Sequence, residues 1–115
     1  MVGLGQSRVR LICACAMETL NFCAAEGIAF LPWYPMAGGK MLKSENPAAQ
    51  ALAAIAARHT VSGAQLSLAW LLARSPVMLP IPGTSRVAHL EENVAAAGLK
   101  LSPEERAEIE AAFAS

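Results

Sequence analysis

From Met17 onward the apolar positions recur at helical spacing. Met17, Leu20 and Ala24 share one face, and Gly27 stands where a left-handed residue would end the helix. Residues 28–33 then form an unbroken apolar run that predicts a short buried strand, with Pro32, Pro35, Gly38 and Gly39 marking its exit into a loop. Asn46 followed by Pro47 offers an N-cap and a proline at the first helical position. The helix they open gathers Leu52, Ile55 and Ala56 on one side and frays near His59 and Thr60. Ser62 and Gln65 have capping-box spacing and open a helix that is apolar nearly all round, through Trp70 and Leu72, until Pro76 stops it. Residues 77–81 predict a second strand, apolar enough to be covered on both faces. A further helix is expected to turn Val87, Leu90, Val94 and Ala97 inward and to end at Gly98. Ser102, Pro103 and Glu105 cap a last helix that buries Ile109 and Phe113.

Strands alternating with helices imply right-handed crossovers and a parallel sheet, so the fold class expected is α/β. Two strands leave open edges and an uncovered face, which marks the chain as a slice of a larger α/β fold with marginal stability by itself.

Composition narrows the partners. The 115 residues are 55% hydrophobic, yet the longest uncharged apolar stretch, around residues 63–73, is too short to cross a bilayer. A mean hydropathy of +0.40 without a membrane span points to surfaces made to pack against something else. Nine basic residues balance nine acidic ones with no basic stripe, which argues against nucleic acid and anionic membranes as partners. Cys13, Cys15 and Cys23 lack a second pair or a His cluster at ligand spacing, so they read as reduced, buried thiols rather than a zinc site. Arg8 and Arg10 precede a short apolar run in the manner of a leader. That run is at the short limit and no disulfide framework follows, so a cytoplasmic location is expected. Gly3 and Gly5 lack the third glycine of a dinucleotide fingerprint.

The segment 77–93 carries the most chemistry. A short apolar run ends in Gly83, Thr84, Ser85 and Arg86 and passes straight into a helix. Backbone N–H groups, two hydroxyls and a guanidinium would converge at that helix start, a combination that attracts phosphate. The plainer alternative is that Thr84 or Ser85 merely caps the helix and Arg86 is solvated. Trp33 sits between Pro32 and Pro35 at a loop mouth, as a ligand-stacking ring or as a core aromatic. Glu91, Glu104, Glu108 and Glu110 are expected to face solvent, and His59 to act as a favourable charge near a helix C-terminus. No Ser-His-Asp set, metal site or paired-carboxylate arrangement is present.

Four ordered stretches give the chain a resemblance to the aldo-keto reductase family. They are residues 27–39 (Gly-Ile-Ala-Phe-Leu-Pro-Trp-Tyr-Pro-Met-Ala-Gly-Gly), 65–72 (Gln-Leu-Ser-Leu-Ala-Trp-Leu-Leu), 81–86 (Ile-Pro-Gly-Thr-Ser-Arg) and 90–93 (Leu-Glu-Glu-Asn). The resemblance implies a partial (β/α)8 TIM barrel, its last two strands with their helices, over residues 17–115, with residues 1–16 an unassigned N-terminus. Family members reduce aldehydes and ketones with NADPH, and such barrels commonly form a phosphate site after strands seven and eight. By resemblance, Trp33 stacks on the nicotinamide, and Tyr34, Pro35, Met36 and Gly38 line the pyrophosphate. Gly83, Thr84, Ser85 and Arg86 grip the 2′-phosphate, while Glu92 and Asn93 hydrogen-bond the adenine edge. Many relatives carry Lys at the place of Gly83 and Arg at that of His89, so Arg86 has to supply the missing cation. No acidic residue stands here to hold a free ribose hydroxyl, which favours NADP over NAD.

The family's catalytic Tyr, Lys, Asp and His belong to the other half of its barrel, and Tyr34, His59 and His89 lie in the wrong segments. No residue is therefore assigned as catalytic and none as a metal ligand. The expectation is a C-terminal, cofactor-binding piece of an NADP(H)-dependent oxidoreductase, inactive alone through truncation, a split gene or a frameshift. Its partners would be NADP(H), the missing barrel half and, in a full-length protein only, a small carbonyl substrate. The alternative is a non-catalytic nucleotide-binding or protein-interaction module derived from the same fold.

Overall fold

Local signals decide where each helix begins and ends. The computed structural model describes residues 15–32 and 45–114. Helix α1 is Cys15–Glu26, α2 Pro47–His59, α3 Gly63–Arg74, α4 Val87–Ala95 and α5 Pro103–Ala114, with a 3-10 turn Ala96–Gly98 after α4. Asn46 caps α2 by accepting the Ala49 N–H at 2.8 Å, and Ser62 caps α3 by accepting that of Gln65 at 3.1 Å. At α5 the capping box is reciprocal: Ser102 Oγ accepts the Glu105 N–H at 3.1 Å, and Glu105 Oε2 accepts the Ser102 N–H at 3.0 Å.

The first two helices end alike. Gly27 has φ +68°, and the Ile28 N–H reaches back to the Cys23 carbonyl at 2.8 Å. Thr60 has φ +56°, and the Val61 N–H reaches the Ala56 carbonyl at 3.0 Å. Both are left-handed turns that satisfy orphan carbonyls. One uses glycine; the other forces a β-branched residue into the same conformation, against its steric preference.

The core is built by α2, α3 and α5. Leu52, Ile55, Leu66, Leu71 and Ile109 are fully buried, with Leu20, Trp70 and Met78 packed among them. Helix α3 is central, buried continuously from Leu66 to Leu71, as its all-round apolar sequence predicts. Ser67 is tolerated there because its hydroxyl donates to the Gly63 carbonyl at 2.7 Å. Ion pairs tie α5 to its neighbours. Arg58 meets Glu108 at 3.0 Å, His59 meets Glu105 at 2.9 Å, and Arg74 meets Glu110 at 3.5 Å. Glu108 and Glu110 are thus exposed, as expected, yet engaged, and His59 has a carboxylate partner beyond its own helix end.

Three expectations need correction. The first is the sheet. Among the described residues there is no β-strand, so the α/β class and the partial (β/α)8 barrel do not hold: the fold is helical. The two apolar runs meet only at one isolated parallel bridge, Phe30 with Met78. There the Phe30 N–H donates to the Val77 carbonyl and the Leu79 N–H to the Phe30 carbonyl, each at 2.8 Å. The ladder cannot lengthen at either end. The next donor forward would be residue 32, a proline without an N–H; backward, the Val77 N–H is turned to Ser75 Oγ at 3.3 Å and the Ile28 N–H to the Cys23 carbonyl.

The second correction concerns α1, where Leu20 is buried beside Cys23 while Ala24 is exposed. The third concerns α4. Val87, Leu90 and Val94 are 71%, 53% and 68% exposed, and Ala97 is also exposed. The helix docks instead by its end, through Ala96, which is buried against α3. Residues 1–14 and the side chains of Met17 and Phe113 lie outside the described part.

Candidate functional site

Polar groups gather where α4 begins. Gly83, Thr84, Ser85 and Arg86 form an exposed turn leading into the helix. Thr84 Oγ1 accepts the Arg86 N–H at 3.2 Å, which folds the turn back on itself. Neither capping alternative holds. The N-cap is Arg86, in extended conformation with φ −113° and ψ 131°, and no side chain caps the helix. The first-turn N–H groups of α4 therefore receive no side-chain oxygen, and the exposed Ser85 and Arg86 directly precede them. A helix start so equipped favours an anion. Gly83 has room to spare, since a Cβ there would meet nothing within 4 Å.

Glu92 and Asn93 lie farther along the same helix, about 9 Å from Arg86 at the usual rise per residue. Glu92 is on the side of α4 that carries Ala96, one turn on, and so faces α3 rather than the open apolar side. There the Ser62 hydroxyl donates to Glu92 Oε2 at 3.3 Å, across 30 residues of chain. The sequence pattern gave no sign of this contact, because the capping role of Ser62 already accounts for that residue. Trp33, Tyr34, Pro35, Met36 and Gly38, expected at the nicotinamide and pyrophosphate end, lie outside the described residues.

The other end of the molecule carries its own charge pattern. Glu105 is held below the usual carboxylate range, chiefly by the Ser102 N–H, against the effect of burial, with His59 and Arg58 adding to the lowering. Glu104 is lowered too, by its own backbone N–H first and the Ser102 hydroxyl second. These shifts belong to a helix cap. A groove of about 370 Å³ between α2 and α3 is lined by residues such as Ala49, Ala53, Ala57 and Gly63, whose side chains offer no polar group. Among the described residues no cluster of His, Cys, Asp and Glu is placed to hold a metal, and no helix is long and apolar enough to cross a membrane.

The expectation that the chain is a piece of a barrel, or a module derived from one, is corrected with the fold: the described residues are helical. Among the described residues no pair of barrel strands presents the 83–86 turn; it lies between an isolated bridge and an exposed helix.

Comparison with known proteins gives the relationship directly. The model of the aldo/keto reductase family matches residues 15–114. An uncharacterised oxidoreductase of Schizosaccharomyces pombe is 52% identical over 87 residues, which make up 76% of this chain and 27% of that protein. An aldo-keto reductase of the same yeast, whose name carries NADP(+), is 56% identical over 48 residues, 42% of this chain and 14% of that one. The crystal structure of a thermostable aldo-keto reductase with the inhibitor epalrestat superposes with a TM-score of 0.70 at 35% identity, covering 81% of this chain and 32% of its own. The chain therefore spans under a third of the length of each of these relatives. With a family match across every described residue, and a relative more than half identical over three quarters of the sequence, the chain belongs to the aldo/keto reductase family.

Proposed function

We propose that the chain serves an NADP(H)-dependent oxidoreductase and that its 83–93 segment holds the adenosine end of the cofactor. One observation carries the reading: the Thr84–Arg86 turn opens α4 without a side-chain cap, leaving Arg86 and two hydroxyls exposed at a helix N-terminus. A dianionic 2′-phosphate is matched by a guanidinium, the Ser85 hydroxyl and the positive end of a helix dipole. Glu92 and Asn93 supply an acceptor and a mixed donor–acceptor for the adenine edge. Trp33 and residues 34–38 complete the proposal toward the nicotinamide and pyrophosphate. A small carbonyl compound is the substrate class that goes with this cofactor in the whole protein. The name of the yeast relative that carries NADP(+) supports the choice of dinucleotide.

Tryptophan fluorescence tests the reading. Titration of NADPH into the chain should give saturable quenching, with NADH binding more weakly. Arg86→Ala should reduce NADPH affinity about tenfold, the scale of one charge-assisted hydrogen bond, while leaving NADH nearly unchanged. An absence of saturable quenching at millimolar NADPH, or an Arg86→Ala variant whose preference for NADPH is undiminished, refutes it.

A further inference from the structure

We infer that Ser62 is a positioning residue for the nucleotide site, using its hydroxyl proton to aim the Glu92 carboxylate. The inference rests on the reading of Glu92 as an adenine contact. Ser62 is the N-cap of α3, and its Oγ accepts the Gln65 N–H at 3.1 Å. A hydroxyl has one proton as well as its acceptor lone pairs, so capping leaves that proton free to be donated. It goes to Glu92 Oε2 at 3.3 Å. Two consecutive helices are thereby joined, across 30 residues of chain, through a single oxygen atom.

The packing supports this division of labour. Helix α4 has no buried residue of its own and is anchored by Ala96 in the turn that follows. Glu92, one turn before Ala96, is brought over the start of α3, while Val87, Leu90 and Val94 lie on the opposite side. An exposed glutamate has three side-chain torsions to immobilise when it meets a ligand, and a tether made on folding removes part of that entropic cost. With Oε2 engaged by Ser62, Oε1 remains the free acceptor. The ligand edge that suits it is an N–H donor, such as the exocyclic amine of adenine, and not the carbonyl found there in hypoxanthine.

Two substitutions separate the tether from the cap. Asp and Asn both cap helices about as well as Ser, so Ser62→Asp and Ser62→Asn should melt like the parent chain. Asn can still donate an N–H to Glu92; Asp offers a second carboxylate and repels it. Binding of NADPH is compared with binding of its hypoxanthine analogue, which lacks the amine. Ser62→Asp should weaken NADPH binding about threefold to tenfold, the range for the net worth of a typical hydrogen bond, and leave the analogue unchanged. Ser62→Asn should match the parent on both. If Glu92→Ala weakens NADPH binding but Ser62→Asp does not, the positioning role is overturned and the reading of Glu92 stands. If Ser62→Asp and Ser62→Asn lose affinity together, or lose it for both ligands, Ser62 is only a cap. If Glu92→Ala binds NADPH as the parent does, both ideas fall.

Discussion

Two halves of the chain solve the same problem differently. In the α2–α3–α5 core, apolar residues are buried by the chain's own neighbours, helix ends are capped by side chains, and three ion pairs span the helices. Around α4 and the extended runs, Leu31, Leu79, Ile81, Val87, Leu90 and Val94 are all more than half exposed, and one bridge supplies the pairing. Both regions carry apolar positions that call for cover. What separates them is whether a complementary surface lies within the described chain.

Truncation to alanine should break the comparison most visibly. Leu52→Ala, in the fully buried core, is expected to cost about 2–5 kcal/mol by denaturant unfolding, and Leu90→Ala, more than half exposed, about 0.5 kcal/mol or less. Equal losses would mean that α4 is covered after all.

The α5 cap comes next. Ser102→Ala removes one arm of the capping box and should cost about 1 kcal/mol. It also bears on acid sensitivity. Because the Glu105 carboxyl is held below its ordinary range in the folded protein, its contribution is complete above the unfolded value and fades as pH falls through the folded one. Melting temperature should therefore drop between about pH 5 and pH 3, and Glu105→Gln should flatten part of that drop. An unchanged acid slope in Glu105→Gln would place the sensitivity elsewhere.

The smallest effect is a gain. Thr60→Gly should raise stability by about 0.5–1 kcal/mol, because relief of the left-handed strain outweighs the added freedom of the unfolded chain. A loss would mean that the Thr60 side chain makes a stabilising contact exceeding its strain.

Sequence reasoning succeeded where the cause was local. Asn46, Ser62 and Ser102 announce their helices because a cap bonds an amide two or three residues away, and Gly27 announces an end for the same reason. It failed for α4 because an apolar stripe shows which face needs cover, not whether cover exists. The sheet failed more subtly. Both apolar runs are extended and do meet, but a ladder needs free N–H groups to lengthen, and Pro32 on one side and the committed Val77 and Ile28 on the other remove the next donors. At the candidate site, the exposed turn at 84–86 was legible from composition. The Ser62–Glu92 contact was not, since it depends on how two helices dock.

The lone Phe30–Met78 bridge has a kinetic consequence. It closes a loop of about 48 residues, an entropic debt of about 3 kcal/mol by the logarithmic loop rule, with only two hydrogen bonds and a few side chains in return. The helices pack into the core without needing this closure, so it should come late in folding and reopen first. The amide protons of Phe30 and Leu79 are then the natural clocks of the molecule: their exchange with solvent deuterium times the opening of the extended runs while the core stays shut.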